Sequence, residues 1–468
     1  MTLSERLPKS AAHLESNHVR DRSRYARYRD SGVAWLGEIP EHWRVQPLKR
    51  AVAINPESLP EDTDPSYEFH YVDIGNGNDR GETTATEELR FEDAPSRARR
   101  IVRIGDTFIS TVRTYLRAIG FVDTDQPSLV VSTGFAVLRP GPELHPRFLW
   151  RLVQSTQFVD AVVAHSVGVS YPAIAPTTLG TLPVWIPPIP EQRAIVAFLD
   201  RETARIDRLI AKKERLIELL HERRAALINQ AVTKGLDPGV PMKDSGIEWI
   251  GAMPEHWHVM RLKYVASGTG CGVQIGPFGG MLKDLSTEPT GYKIYGQENI
   301  INNDFALGHR WVSEERYLEL KSYAISSGDI LLTRKGSIGN CRLVPEFITP
   351  GIMDSDTIRI RANPSTVRTQ FLVTLLHDAR YLQEQVALRK RGAVLSGLNT
   401  TTVEELVLLL PPLSEQDQIL EHLDRQDRMT SQLVQRLRMH IQLLREYRTA
   451  LISAAVTGKI DVREEVAV

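Results

Sequence analysis

Two long stretches of the chain carry apolar residues at seven-residue intervals, interrupted at Lys213 and Thr430, and contain no Gly or Pro. They run over 191–234 and 415–457, and Leu, Ala, Glu, Arg and Gln dominate both. These are good helix formers. Gly235 and Gly458 follow directly, where glycine commonly ends a helix. Each stretch is therefore predicted to form one long helix.

The seven-residue spacing is typical of a coiled-coil seam. A helix of this size would be about 65 Å long at about 1.5 Å per residue, longer than a small domain needs to cover its own core. Antiparallel pairing of the two helices is the expected arrangement, and packing of each helix on its own domain alone is the alternative. The predicted seam residues are Leu199, Ile206, Leu220, Leu227, Leu423, Leu437, Leu444 and Leu451.

Outside these stretches, short β-rich strings alternate with turn residues and a few helices. Examples of such strings are 69–74, 129–131 and 357–360. Strands and helices do not alternate strictly, which favours a mixed, largely antiparallel α+β fold over a doubly wound parallel sheet. A Gly-Asp pair precedes an apolar run at Asp106 and again at Asp329, and each is predicted to make a turn into a buried strand.

The chain is duplicated. Residues 31–43 recur as 245–257, including a Pro-Glu-His-Trp string, and the lead-in to the first helix, 187–192, recurs as 411–416. A period above 200 residues excludes a solenoid of short repeats. The predicted segments are an N-terminal extension 1–30, a domain 31–186, a helix block 187–234, a linker 235–244, a second domain 245–410, a second helix block 411–458 and a tail 459–468.

Composition narrows the class of protein. Only Cys271 and Cys341 are present, too few for a disulfide framework or a four-cysteine zinc site, which favours a reducing, cytoplasmic location. The sequence contains no run of about 18 apolar residues, so it predicts no membrane span. The net charge of -1 gives no general attraction to nucleic acid, so any DNA-binding surface must be local.

Motifs for catalysis are missing from the sequence. No Asn/Asp-Pro-Pro-aromatic string for amino methylation occurs, nor a Gly-rich loop ending in Gly-Lys-Ser/Thr for nucleotide binding. His42 and His256 lie in the repeated Pro-Glu-His-Trp blocks, where a capping or packing role is the preferred interpretation. No catalytic residue and no metal ligand is predicted.

Positive charge is concentrated locally in both halves. The residues around Arg97 to Arg117 include only Asp106 as an acid, and arginine suits both phosphates and guanine edges. Solvated surface charge or a plain turn is the alternative for each position. The DNA-binding candidates are Arg97, Arg99, Arg100, Arg103, Arg113, Tyr115, Arg117, Ser170, Tyr171, Arg334, Lys335, Ser337, Arg389, Lys390 and Arg391.

The paired Trp-x-Gly-x-x-Pro-x-His-Trp openings, the paired Pro-Pro-x-x-Glu-Gln lead-ins and the two helices resemble the specificity (S) subunits, or HsdS family, of Type I restriction-modification systems. The resemblance covers nearly the whole chain. It implies two tandem target-recognition domains, each reading half of a bipartite DNA site, joined and spaced by two long antiparallel coiled-coil helices with a pseudo-two-fold repeat.

The resemblance also implies partners. Two modification subunits would carry S-adenosylmethionine and the methyl-transfer chemistry, and nuclease-motor subunits would use ATP and magnesium. The chain itself is expected to bind double-stranded DNA and none of those cofactors. A coiled-coil adaptor that does not bind DNA and a self-contained endonuclease or methyltransferase are the rival interpretations.

Overall fold

A computed structural model describes the chain over residues 23–74, 86–123, 128–168, 170–247, 250–266, 272–283, 285–335, 339–391 and 397–466, apart from the side chains of 279, 389–391 and 466. The chain divides into two compact units. Unit 1 comprises Met1–Lys213 with Arg438–Val468, and unit 2 comprises Glu214–Leu437. Both unit boundaries fall inside the long helices, so each unit contains one half of each helix.

Unit 1 is built from short strands and helices. Its strands are β1 (Tyr28–Asp30), β2 (Glu38–Pro40), β3 (Arg44–Pro47), β4 (Val52–Ile54), β5 (Glu68–Val72), β6 (Glu87–Arg90), β7 (Ala98–Ile101), β8 (Thr107–Ser110), β9 (Ile119–Phe121), β10 (Leu129–Ser132), β11 (Phe135–Pro140) and β12 (Pro183–Ile186). Its short helices are α1 (Leu48–Ala51), α2 (Pro146–Gln154), α3 (Thr156–Ala164) and α4 (Pro176–Thr181).

The main sheets of unit 1 are two four-stranded sheets, with orders β6-β5-β10-β7 and β4-β11-β8-β9. Two-stranded pairs β1-β2 and β12-β3 complete it. Val131, Val137 and Phe108 from these sheets are buried together in one core, because their strands carry apolar residues on the faces turned inward. Among the described pairings of this unit, only β5 with β10 is parallel.

Unit 2 repeats this plan with different sequences. Its strands are β13 (Met242–Asp244), β14 (Ala252–Pro254), β15 (His258–Arg261), β16 (Val273–Ile275), β17 (Tyr292–Tyr295), β18 (Trp311–Val312), β19 (Ile330–Thr333), β20 (Cys341–Leu343), β21 (Gly351–Met353), β22 (Thr357–Ile360) and β23 (Val407–Leu410). The sheet order β16-β22-β19-β20 matches β4-β11-β8-β9, and β15-β23 matches β3-β12. A three-stranded sheet β18-β17-β21 contains a parallel pair, β17 with β21. The predicted mixed, largely antiparallel α+β fold is confirmed.

The repeat begins slightly earlier than the sequence match indicates. Strand β1 pairs with β2 just as β13 pairs with β14, and both first strands precede the matched Ser-Gly pairs at Ser31 and Ser245. Tyr28 on β1 donates its hydroxyl hydrogen to the Gly458 carbonyl at 2.9 Å. Residues 28–30, placed in an extension by the sequence, therefore form part of the unit 1 structure.

Both long helices are present as predicted. Helix α5 spans Ile189–Lys234 and the last long helix spans Leu413–Val456. Between them lie α6 (Gln297–Asn302), α7 (Glu314–Glu319), α8 (Thr369–Asp378), α9 (Arg380–Arg391) and α10 (Thr400–Glu404), which makes the last helix α11. Gly235 and Gly458 have φ of 75° and 70°, the left-handed conformation that ends a helix, so both predicted stops are confirmed.

Within each unit the two helix halves run antiparallel. In unit 1, Asp207 pairs with Arg448 at 3.1 Å, while Arg201, earlier in α5, bonds to Glu465, later in the chain. In unit 2, Arg224 pairs with Asp427. Charged pairs at the margin of an apolar seam favour one register over others.

The predicted seam residues differ in burial. Leu199, Ile206, Leu437 and Leu451 are buried, and the other predicted positions, Leu220, Leu227, Leu423 and Leu444, are half-buried. A second apolar position in the repeat is buried as well. Its members are Ile210, Val434 and Ile441, each four residues after a position of the seam repeat.

The two Gly-Asp pairs form the predicted turns. Asp106 is buried, accepts a hydrogen bond from the Arg103 N–H at 2.9 Å, and pairs with Arg139 at 2.8 Å. Asp329 is buried in the same manner and pairs with Arg361 at 2.8 Å. Each carboxylate thus closes a turn and pairs with an arginine; Arg139 lies on β11 and Arg361 directly after β22.

Candidate nucleic-acid interface

Two adjacent loops of unit 1 bring several candidate residues together. The Arg113 loop, residues 111–118, joins β8 to β9, and the Tyr171 loop, residues 165–174, follows α3; position 169 lies outside the described residues. The N–H of Arg113 donates to the Pro172 carbonyl at 2.8 Å, and the N–H of Ile174 donates to the Thr111 carbonyl at 2.9 Å. A further hydrogen bond of 2.9 Å joins the hydroxyls of Thr114 and Ser166. The two loops therefore form one surface.

Arg113 and Tyr171 contact each other on this surface. The guanidinium carbon of Arg113 lies 4.5 Å from the centroid of the Tyr171 ring, within cation–π range. Ser170, next to Tyr171, is exposed. Gly168 has φ of 118°, and a Cβ there would lie 3.2 Å from the Tyr171 carbonyl oxygen, so the turn that presents the ring requires glycine.

The Arg113 loop has an uncommon backbone. Arg113 and Arg117 have φ of 52° and 55°, in the left-handed region that non-glycine residues rarely occupy, and they flank a single 3₁₀ turn. Each costs on the order of 1 kcal/mol or more. Such conformations concentrate at binding sites, where the surrounding contacts hold them.

Apolar and aromatic side chains are exposed on the same surface. Tyr115 is 53% exposed, Leu116 51% and Val167 81%. Aromatic and apolar groups beside arginine suit base faces and thymine methyl groups.

The other arginine candidates of unit 1 have partners that are distant in sequence. Arg97 pairs with Asp73 at 2.6 Å, Arg103 with Glu57 at 2.6 Å, and Arg117 with Asp160 at 3.7 Å. Arg100 bonds to Ser58 at 3.0 Å, and Arg99 lies 4.6 Å over the Phe91 ring. These contacts orient the guanidinium groups, most of which stay partly exposed.

The electrostatics follow from these pairs. Hydrogen bonds from Arg139 and then Arg103 hold the pKa of the Glu57 carboxyl below its usual value. Partial burial raises the pKa of Asp73, but the charge and hydrogen bond of Arg97 together with hydrogen bonds from the Ile74 N–H and the Tyr71 hydroxyl outweigh it, and the net shift of the pKa is downward. Both carboxyls are therefore ionised at neutral pH and neutralise part of the local positive charge.

Unit 2 has a loop at the same point of its topology. It joins β19 to β20, as the Arg113 loop joins β8 to β9. Arg334 donates to the Leu398 carbonyl at 2.9 Å, so its side chain ties this loop to the segment before α10. Lys335 pairs with Asp356 at 2.8 Å. Ser337 and the side chains of Arg389, Lys390 and Arg391 lie outside the described residues.

Each unit contacts a long helix through a glutamate that the sequence did not single out, and this glutamate is buried at Glu191 and half-buried at Glu415. Glu191 accepts a hydrogen bond from Trp43 Nε1 at 2.9 Å and contacts His42 Nε2 at 2.7 Å. Glu415 contacts Trp257 at 3.1 Å and His256 at 2.7 Å. Each of the two histidines thus contacts a glutamate in the first turn of a long helix. The duplicated Glu-Gln after each Pro-Pro pair was the available signal.

Neither a cluster of metal-ligating side chains nor a membrane-spanning helix is found in the described part of the chain. No group of three or more His, Cys, Asp or Glu side chains is arranged to hold a metal ion there. None of the described helices combines the length and apolar character of a membrane span.

Comparison with known proteins gives a consistent result. The family model described as Type I restriction modification DNA specificity domain matches twice, at residues 68–219 and 273–443. The first match includes strands β5 to β12 and the second includes β16 to β23, and each extends into the long helix that follows.

Curated relatives carry related names. The Type I restriction enzyme StySPI specificity subunit of Salmonella potsdam is 24% identical over 61% of this chain and 59% of its own length. The EcoKI specificity subunit of Escherichia coli is 22% identical over 62% of this chain and 60% of its own length. The chain thus spans less than two thirds of these two relatives. A Methanocaldococcus jannaschii protein named for the MjaX specificity subunit, whose own assignment is provisional, is 22% identical over 83% of this chain and 87% of its length.

Solved structures share the fold. A chain from a study of complex assembly and conformational transition of the type I R-M system superposes with a TM-score of 0.67 at 22% identity, covering 90% of this chain and 99% of that one. The HsdS subunit from Thermoanaerobacter tengcongensis superposes with a TM-score of 0.51 at 23% identity, covering 90% and 98%.

Proposed function

Because the chain belongs to the Type I restriction modification DNA specificity domain family, we propose that it is the DNA-sequence specificity subunit of a Type I restriction-modification complex. Each unit reads one half of a bipartite site on double-stranded DNA. The constant surfaces of the chain dock two methyltransferase subunits and the nuclease-motor subunits in the cytoplasm.

The observation that carries the proposal is one topology repeated in two units with unlike loops. The connection β8 to β9 in unit 1 and β19 to β20 in unit 2 occupies the same place in matching sheets, yet one carries Arg113 and Tyr115 and the other Arg334 and Lys335. Base readout needs different side chains for different bases, whereas phosphate contacts and scaffolds do not. Divergent loops on a common scaffold therefore suit two half-sites of different sequence.

The division of labour follows from the same proposal. The chain supplies recognition and no bond-making chemistry of its own. S-adenosylmethionine serves the methyltransferase subunits, and ATP with magnesium serves the nuclease-motor subunits. The constant Glu191 and Glu415 junctions hold the recognition units in a defined geometry on the helix pairs.

Methylation mapping tests the proposal. Cells expressing this chain with its neighbouring methyltransferase gene are compared, by long-read sequencing, with cells expressing the methyltransferase alone. A bipartite methylated-adenine motif that depends on this chain is the expected result. A soluble complex that yields no motif would favour an adaptor that does not bind DNA, and methylation or cleavage by the purified chain alone would favour an enzyme.

A further inference from the structure

We propose that Arg113 determines specificity by reading a guanine in the half-site of unit 1, with Tyr171 as the positioning residue that fixes the plane of its guanidinium. This inference rests on the proposed function and deepens it. It assigns one base type to one side chain.

The stacking geometry favours a base edge as the ligand. The guanidinium carbon of Arg113 lies 4.5 Å from the centroid of the Tyr171 ring, which is itself 61% exposed. A guanidinium is planar, so its N–H donors project from its edge in one plane. Two parallel donors in a plane match the O6 and N7 acceptors of guanine, the commonest specific contact that arginine makes in the major groove.

The charge environment of Arg113 differs from that of Arg97, Arg103 and Arg117. Arg97, Arg103 and Arg117 each pair with a carboxylate. Within the described part of the chain, Arg113 has no carboxylate partner at ion-pair distance. Its donors are therefore available without first breaking an ion pair.

The backbone holds Arg113 in place before DNA arrives. Its left-handed conformation, φ 52°, is maintained by the hydrogen bond from its N–H to Pro172 at 2.8 Å and by the Thr114–Ser166 bond beside it. A preorganised side chain loses less conformational entropy on binding. A phosphate contact requires only a mobile positive charge. A guanidinium group held in place against an aromatic ring meets the stricter geometry of a base-pair edge.

The test measures the motif rather than affinity alone. The full chain, co-expressed with its methyltransferase partner, is supplied with S-adenosylmethionine and a plasmid library carrying a randomised insert, and methylated sites are sequenced. The variants are Arg113→Lys, Arg113→Ala, Tyr171→Ala and Tyr171→Phe. Arg90→Lys is the matched control, because Arg90 is an exposed arginine of the same unit that pairs with Glu68 at 3.2 Å.

The wild-type motif should contain a G·C pair that both Arg113 variants relax by about ten- to a hundredfold, with all other positions and the second half-site unchanged. Tyr171→Ala should relax the same position less, and Tyr171→Phe should retain it. An unchanged motif, or a uniform loss of methylation at every sequence, would overturn the inference while leaving the proposed function intact. A wild-type chain that produces no motif would overturn both. Arg113→Lys keeps the charge, so a folding defect in Arg113→Ala alone does not decide the outcome.

Discussion

The indole N–H of Trp43 donates a hydrogen bond of 2.9 Å to the buried carboxylate of Glu191. Trp43 belongs to the opening of the first repeat and Glu191 to the first turn of α5. The end of α11 lies at the same place, because Gly458 approaches both Pro40 and Trp43. Trp257, Glu415 and Gly235 form the equivalent junction in unit 2.

Removing the Glu191 carboxylate should destabilise unit 1. In Glu191→Ala the Trp43 N–H stays buried without its acceptor, which costs about 1–3 kcal/mol. Urea unfolding of the full chain, followed by tryptophan fluorescence, measures the change. Glu218→Ala, which removes an exposed glutamate from the same helix, should have little effect. Equal effects of the two substitutions would contradict a structural role for the junction.

Gly458→Ala should cost more than a left-handed glycine normally does. A Cβ at Gly458 would overlap the Pro40 ring and lie 3.1 Å from Trp43, in addition to the backbone cost of φ 70°. We expect a loss of roughly 2–4 kcal/mol. Gly32→Ala is the control, since Gly32 has φ 72° with no atom within 4 Å of its added Cβ and should show only the backbone cost. If thermal unfolding showed equal losses of stability for Gly458→Ala and Gly32→Ala, the close contact at Gly458 would be refuted.

Acid should weaken unit 1 through Glu57 and Glu143. Arginine and glutamine hydrogen bonds lower the pKa of both carboxyls below about 4.5, the usual value. A carboxyl whose pKa is lower in the folded state stabilises above its unfolded pKa, and this contribution is lost as pH falls through the folded value. The unfolding temperature of the wild type should therefore fall below pH 4.5 more steeply than that of Glu57→Gln/Glu143→Gln. If the unfolding temperature fell equally steeply with pH in both proteins, the stabilising role of Glu57 and Glu143 would be disproved.

Helix length should set the spacer between the half-sites. Both α5 and α11 run from one unit into the other. Deleting seven residues from each preserves the seam and removes about 10 Å of helix, or about three base pairs of DNA length. Methylation mapping should show a changed spacer with both half-sites retained. Changed half-sites with the old spacer would count against the proposal. Deleting seven residues from α5 alone is the control, and it should destabilise the chain because the two seams no longer match.

Local signals made much of the fold predictable. The heptad spacing and the terminal glycines identified α5 and α11, because helix periodicity and left-handed C-terminal residues depend on short stretches of sequence. The Gly-Asp turns were predictable for the same reason. The second buried seam position, for example Ile210 and Ile441, was missed because the apolar pattern was followed at one heptad position only.

The candidate site was less predictable. The sequence grouped Arg97, Arg103 and Arg113 by proximity along the chain, but their environments depend on residues far away. Asp73 and Glu57 approach the first two through sheet pairing, and Tyr171 reaches Arg113 through a contact between separate loops. Such tertiary neighbours leave no periodic or spacing signal in a single sequence.

The Asp461 N–H donates a hydrogen bond of 2.7 Å to the Ser23 carbonyl, so the segment after α11 lies beside the segment before β1 in unit 1. In unit 2, residues 235–241 join the end of α5 covalently to β13. In unit 1 the segment after α11 and the segment before β1 are joined by the hydrogen bond between Asp461 and Ser23. The corresponding segments of unit 2 are joined by the chain itself. A circularly permuted chain, opened between Gly235 and Met242 and joined by a short linker from 461 to 23, would therefore keep every described strand pairing.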